Sequence, residues 1–363
     1  MSRLVLYRKY RPKSFAEVIG QEHVTRTLKG AILSDLLSHA YIFAGPRGSG
    51  KTTIARLLAK AVNCRKRSGH EPCLKCESCL EFENNRSLDL IEIDAASHRG
   101  IDDIRELKEG IKFSPNKEEY KVFIIDEAHQ LTKEAVNALL KTLEEPPPHA
   151  IFILATTEIH KMLPTILSRC QRFDFRRLTP EEIVKRLEIL SKYEKAKIDR
   201  EALELIAVNA NGGVRDAESL LDQILSYSSG KSISKTDVIR LLGLADIELV
   251  SRFVDILIQR DQKKAIKYLG DIFGEGSDPV ELIKTLIGYL REMVILKVDS
   301  EAMISAKSQE EIGKLKEQAE KFTFKELSGL LKGLIEAENR MKYSSILELP
   351  LELAIIDFTL KEA

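Results

Sequence analysis

Neither sign of charge is in excess along this 363-residue chain: Lys and Arg together number 56, and so do Asp and Glu. That balance excludes the overall basic surplus that draws an isolated nucleic-acid-binding module onto phosphates, so any such contact must come from a local patch. Long hydrophobic runs are missing too. Those present, such as Ala150 to Ala155, are strand-length and fall far short of the roughly 20 residues of a membrane helix. The opening MSRLVLYRKYRP has only four apolar residues between Arg3 and Arg8, too few for the core of a secretory signal. A cytoplasmic protein with no membrane span is expected. There is no low-complexity tail, obvious repeat or long Pro/Gly linker, so the units of the chain are expected to pack closely. Cysteine is scarce, five in all, and four of these, Cys64, Cys73, Cys76 and Cys79, fall in one short stretch. That pattern is metal-site arithmetic rather than a distributed disulfide framework, and Cys170 stands apart.

What is present fits a globular protein of two or three domains, with 44% hydrophobic residues. From Tyr41 to Phe175, short β-branched runs (YIFA, LIEIDA, VFIID, IFILATT, RFDF) alternate with amphipathic stretches. This is the pattern of a parallel sheet covered by helices. After Arg177 the strand signal vanishes. TPEEIVKRLEIL opens a helix with Thr179 as N-cap, Pro180 at the first position and Glu182 completing a capping box. From Ala245 onward, DIELVSRFVDILI, PVELIKTLIGYLREMVI, FKELSGLLKGLIEAE and ILELPLELAIIDF repeat apolar residues at helical spacing. Three units are expected: an α/β core over 1–177, a helical lid over 178–243 and an all-helical domain over 244–363.

GPRGSGKT, from Gly45 to Thr52, matches the G-x4-G-K-[ST] pattern of phosphate-binding loops. It follows the apolar strand YIFA and precedes TTIARLLAKAV, so the loop of Gly45, Pro46, Arg47, Gly48, Ser49 and Gly50 and the helix start through Thr53 are expected to cradle ATP, their backbone N–H groups, Pro46 having none, converging on the phosphates. Lys51 would reach the outer phosphates and Thr52 would ligate Mg2+. VFIIDEAH ends a buried strand with two carboxylates, which suits Asp126 as the metal-side acid and Glu127 as the water-activating base. The letters DEAH alone would equally suggest a helicase. IFILATTE ends in two hydroxyls that must point to opposite faces, so only one can face the phosphates; Thr157 is preferred, with Thr156 the alternative.

These elements resemble the AAA+ ATPases, and LPTILSRCQRF, from Leu163 to Phe173, resembles the Ser-Arg-Cys signature of their clamp-loader branch. The resemblance implies that Arg169 is an arginine finger acting in a neighbour's ATP site. GGVRDAESLLDQ resembles the lid motif whose arginine, here Arg215, senses the γ-phosphate from the same subunit. YRKYRPKSFAEVIGQEHV resembles the stretch that lies against adenine, which implies a pocket of Tyr7, Arg11, Pro12, Val18 and Ile19. A cysteine module after the phosphate-loop helix resembles that of bacterial clamp-loader motor subunits. With the spacing C-x8-C-x2-C-x2-C, Cys64, Cys73, Cys76 and Cys79 would close a structural Zn2+ site over 64–79 with no open position for catalysis. Cys170 is expected to be a packed core thiol.

The implied fold is thus an α/β P-loop AAA+ core with a parallel sheet and an inserted zinc module, followed by a helical lid and a helical collar. The implied function is ATP-driven loading of a ring-shaped sliding clamp onto primed DNA. Implied partners are other loader subunits in a hetero-oligomeric ring, the clamp, primer-template DNA held by its backbone, and a replicative polymerase core. Longer members of the family carry a C-terminal extension, and this sequence ends at Ala363. Arg99, Arg105 and Lys161 are candidates for the DNA-facing surface, and solvated surface charge is an equally good account of each. Two rivals remain: another AAA+ motor such as a branch-migration helicase, and a catalytically silent ATP sensor. The cysteine cluster argues against the first, and Lys51, Asp126 and Glu127 against the second. Nothing resembles the paired-carboxylate site of a polymerase.

Overall fold

Five β-branched runs become five parallel strands in the computed structural model, which describes residues 4–84, 86–97, 109–111, 113–228, 232–242, 247–274, 276–299 and 309–360. They are β1 (Ala40–Ala44), β2 (Leu90–Asp94), β3 (Lys121–Asp126), β4 (Ala150–Thr156) and β5 (Gln171–Asp174), in the spatial order β2-β3-β4-β1-β5. Every neighbouring pair is parallel. β1 and β4 are buried at each residue, which is why they read as uninterrupted apolar runs, whereas the edge strand β5 buries Phe173 alone.

The helices of this unit are α1 (Leu6–Lys9), α2 (Glu22–Ser34), α3 (Lys51–Val62), α4 (Glu77–Glu83), α5 (Lys133–Glu144), α6 (Pro164–Leu167), α7 (Pro180–Tyr193), α8 (Arg200–Asn209) and α9 (Val214–Ser228). Strand periodicity of two divides the core between the sheet's faces. Tyr41 and Phe43 of β1 pack with Val24 and Leu28 of α2 and Ile54 and Leu58 of α3, while Ala40 and Ile42 join Leu139 and Leu143 of α5. Because all strands run the same way, the C-terminal ends of β1, β3 and β4 lie side by side. The register pairs Ala44 with Thr156 and Ile125 with Leu154, so the loop after β1, the acids Asp126 and Glu127 at the end of β3 and the threonines at the end of β4 share one edge. That edge is where open α/β sheets bind ligands.

α7 starts as its sequence dictates. Thr179 Oγ1 accepts the Glu182 N–H at 3.3 Å, the Thr179 N–H returns to Glu182 Oε2 at 2.9 Å, and Pro180 occupies the first turn.

Two compact units divide the chain, Met1–Ser232 and Ile233–Ala363. α10 (Lys235–Leu242) falls in the second, with Ile233 and Val238 buried, whereas the sequence places it with the lid. The second unit continues with α11 (Ile247–Ile258), α12 (Gln262–Gly274), α13 (Pro279–Val298), α14 (Gln309–Glu320), α15 (Phe324–Met341) and α16 (Leu349–Leu360). Its apolar core includes Leu257, Leu286, Leu290, Leu330, Leu334 and Leu351. One polar cluster is set into that core: Tyr289 Oη lies 2.6 Å from Gln318 Oε1 and 3.0 Å from Ser251 Oγ, and Gln318 Nε2 donates to Ser251 O and Asp255 Oδ1. A satisfied network of this kind fixes how α11, α13 and α14 pack against one another, because slippage would strand buried polar atoms. Among the described residues, no helix is long and apolar enough to cross a membrane.

Candidate functional site

The loop after β1 turns where side chains do not fit. A Cβ on Gly45 would lie 2.7 Å from that of Phe175 and against the Phe175 carbonyl oxygen, so a larger residue would push the loop off the sheet. Gly50, with φ +98°, caps α3 and lets the chain turn directly into it. The first helical residue is Lys51, buried at 5% exposure, whose Nζ donates to Gly45 O at 2.7 Å and Pro46 O at 2.9 Å. Burial pushes its ammonium pKa down, with the charges of Glu127 and Asp126 opposing. The next residue, Thr52, donates its hydroxyl to Asp126 Oδ2 at 2.7 Å, so the loop and the end of β3 meet at one oxygen pair.

The residue that follows β3 is left-handed: Glu127 has φ +48° and ψ +42°, an uncommon conformation for a glutamate, and its N–H is held by Asp126 Oδ1 at 3.0 Å. Thr157 Oγ1 donates to Glu127 Oε2 at 2.9 Å. Thr156 is fully buried, and its Oγ1 accepts the Glu158 N–H and faces His129 Nδ1, each at 3.0 Å. Strand alternation therefore turns the two hydroxyls apart, and Thr157 is the one beside Glu127.

A single cavity is lined by Tyr7, Arg11, Pro12, Val18 and Ile19, by Arg47 to Thr53, by Asp126 and Glu127, and by Arg186, Val214, Arg215 and Glu218. Gly45, Pro46 and Thr157 line an adjoining hollow with Arg177. Arg215 lies 4.6 Å over the Tyr7 ring, a cation–π contact that joins lid to N-terminal segment, and the Arg215 hydrogen bond lowers the Tyr7 phenol pKa. The Val214 N–H reaches Gly48 O at 3.2 Å, tying the start of α9 to the phosphate loop. Burial, and the cationic neighbours Arg56 and Arg215, push the Arg11 guanidinium pKa down, which suits a site that receives an anion.

Among the lining residues that escape sequence reasoning, two form a buried ion pair. Arg186 Nε donates to Glu218 Oε1 at 2.8 Å, the pair 8% and 5% exposed, and its other arm takes the Tyr10 carbonyl. Burial raises the Glu218 carboxyl pKa against the pull of Arg186. Glu218 stands three residues after Arg215 on α9, a spacing that places both on one helix face and could have flagged it. Arg186 gives no such signal, since its partner carbonyl is 176 residues away.

Arg169 is elsewhere. It is not among the residues lining the cavity; its guanidinium pairs with Glu144 Oε1 at 2.5 Å and donates to Thr165 O at 2.7 Å, with the side chain 32% exposed. Lys161 pairs with Glu158 at 2.8 Å. Arg99 and Arg105 lie outside the described residues.

The four clustered cysteines converge. Their Sγ atoms all lie within 4.8 Å of one another, with Cys64–Cys76 and Cys73–Cys79 each at 4.0 Å. Backbone N–H groups of Cys73, Cys76 and Cys79 point at the sulfurs of Cys64, Cys73 and Cys76 at 3.2 to 3.5 Å, a set of donors that favours thiolates. The N–H bonds of Lys75 and, less strongly, Cys76 bring the Cys73 thiol down to about 6, while burial pushes Cys64 and Cys79 up. Cys170 lies far along the chain, its pKa pushed up to about 11 by burial.

Three family models match, together spanning most of the chain: "DNA polymerase III, delta subunit" over residues 20–179, "DNA polymerase III clamp loader subunit, ATPase lid domain" over 182–230, and "DNA polymerase III subunits gamma and tau domain III" over 233–361. DNA polymerase III subunit tau of Bacillus subtilis is 47% identical over 297 residues, covering 82% of this chain and 53% of that protein. DNA polymerase III subunit gamma/tau of Mycobacterium tuberculosis is 42% identical over 296 residues, 81% of this chain and 51% of that protein. The tau subunit of Escherichia coli is 39% identical over 303 residues, 84% and 47% respectively. The chain spans about half the length of these relatives. With the delta-subunit, ATPase-lid and gamma/tau domain III models matched in that order, and a relative 47% identical over 82% of it, this chain belongs to the gamma/tau family of DNA polymerase III clamp-loader subunits.

Proposed function

We propose that this chain is the ATP-hydrolysing motor of a clamp loader, which loads a sliding clamp onto primed DNA. The observation that carries the reading is one cavity uniting the phosphate loop, the Asp126–Glu127 pair, Arg215 of the lid and the N-terminal segment from Tyr7 to Ile19. Thr52 and Asp126 already share a hydrogen bond and form the oxygen pair that would hold magnesium, which neutralises charge on the phosphate oxygens when bound. Lys51 moves from the loop carbonyls to the outer phosphates, exchanging two neutral acceptors for an anionic one. Glu127 takes the proton of the attacking water, Thr157 orients that carboxylate and reports on the γ-phosphate, and Arg215 senses it from the lid. Arg169 acts in the site of a neighbouring subunit, as the arginine finger does in trans.

The assignment extends to the units: 1–177 as nucleotide core, 178–232 as lid and 233–363, which includes α10, as collar holding a ring with delta- and delta-prime-type subunits. The clamp, primer-template DNA bound by its phosphates and the polymerase III core complete the partners, and polymerase chemistry lies outside this chain. The match over 233–361 supports this reading over a branch-migration motor, which needs a translocating module there. The test is ATP hydrolysis by the chain with its loader partners and clamp, with and without primed DNA. Stimulation by both is expected; a rate that ignores both would leave an ATPase and remove the loader.

The cysteine module fits zinc. A tetrahedron with Zn–S near 2.3 Å has S–S edges of about 3.8 Å, close to the 4.0 Å spacings of the two thiol pairs. Four thiolates would leave no position for water, so the metal would be structural. About one zinc per chain is expected on elemental analysis. Cys73→Ser or Cys76→Ser is expected to release it and lower Tm while nucleotide still binds. Full zinc content in both variants would refute the four-thiolate site.

A further inference from the structure

His129 is buried at 3% side-chain exposure in the turn that follows Glu127, and the chemistry proposed above gives it no task. Its surroundings are unusual for a core histidine. Nδ1 lies 3.0 Å from Thr156 Oγ1 and 3.5 Å from Glu127 Oε2; Nε2 lies 3.1 Å from Gln130 Nε2 and 3.3 Å from Glu158 Oε1. If Nε2 accepts from the Gln130 amide, the ring hydrogen sits on Nδ1 and goes to Thr156 Oγ1, with Glu127 Oε2 beside it. A charged ring donates through Nε2 to Glu158 and still presents Nδ1–H to the same pair. Both arrangements give the Nδ1 hydrogen to Thr156 Oγ1 and keep its positive end 3.5 Å from Glu127 Oε2, the oxygen that already receives the Thr157 hydroxyl at 2.9 Å.

We propose that His129 is a positioning residue for ATP hydrolysis: with Thr157 it pins Oε2 of Glu127, so that the carboxylate presents its other oxygen, Oε1, to the attacking water. Thr156, fully buried with its hydroxyl held by the Glu158 N–H, keeps the ring in plane for that task. The left-handed backbone at Glu127 makes such support necessary, since a residue held in a sparsely populated conformation persists only where its neighbours fix it. The inference rests on Glu127 being the base.

The test compares His129→Ala, His129→Gln and His129→Asn with wild type and Glu127→Gln, on the full chain assembled with its loader partners. An asparagine amide nitrogen falls at the place of Nδ1, whereas a glutamine amide falls at the place of Nε2. His129→Ala and His129→Gln are expected to lower kcat by about 10- to 100-fold, as a misplaced reacting group does. Their KM and nucleotide Kd should stay within about twofold of wild type. His129→Asn is expected to recover most of the rate. Should His129→Ala not fold, the bulkier Gln variant serves in its place. Wild-type kcat in His129→Ala or His129→Gln overturns the inference, and so does an Asn variant no better than the others, or a Kd that rises in step with the fall in kcat. If Glu127→Gln itself turns over at the wild-type rate, the base assignment falls, whatever the His129 variants do, and the inference falls with it.

Discussion

Replacing Arg169 by alanine is expected to cut clamp- and DNA-stimulated ATP hydrolysis by about 10³-fold or more, with ATP binding retained, the effect of removing an arginine finger. Within its own chain Arg169 pairs with Glu144 at 2.5 Å, between side chains 32% and 48% exposed, and donates to Thr165 O and Ser168 Oγ. Solvent screening at that exposure limits such a pair to about 0–1 kcal/mol of stability, far too little for the loss to arise from unfolding. Glu144→Ala is the decisive control. It breaks the same ion pair while leaving the arginine, so it should hydrolyse at close to the wild-type rate. A Glu144→Ala variant as inactive as Arg169→Ala would mean that the ion pair itself matters and that no residue acts in trans.

Glu127→Gln is expected to lower turnover by about 10²- to 10⁴-fold and to trap bound ATP, because the amide cannot take the proton of the attacking water. The substitution is close to isosteric. A glutamine Oε1 can still accept the Thr157 hydroxyl that Glu127 Oε2 accepts at 2.9 Å, so the loss would report on basicity rather than shape. Asp126→Asn should behave differently. Asp126 accepts the Thr52 hydroxyl at 2.7 Å, so its loss is expected to raise the magnesium concentration needed for turnover rather than to trap ATP. Single-turnover hydrolysis and a magnesium titration on each variant separate the two roles. Equal defects in both assays would merge the two carboxylates into one function, and normal turnover in Glu127→Gln would remove it as the base.

Much of the fold is legible because its signals are local. All-apolar runs become β1 and β4, buried at every residue, and Thr179, Pro180 and Glu182 start α7 by bonds that span three residues. The phosphate loop is legible for the same reason: its glycines, Lys51 and Thr52 work through backbone geometry that a few consecutive residues determine. Cys64, Cys73, Cys76 and Cys79 also lie close enough in sequence for their convergence to be expected, and their sulfurs do gather within 4.8 Å.

The rest depends on which strand lies beside which. Periodicity alone says that Thr156 and Thr157 face opposite ways; only the order β3-β4-β1 brings Thr157 to Glu127 and buries Thr156 against His129. No local pattern foretells the Arg186 contact with Tyr10, 176 residues away, or the Arg169 pairing with Glu144, because each partner arrives by a separate crossover of the chain. The sequence by itself determined the elements and the chemical groups, since propensity, period and loop geometry act over a few residues. Tertiary structure decided which groups meet, since contact between distant segments is set by the burial of both sheet faces together.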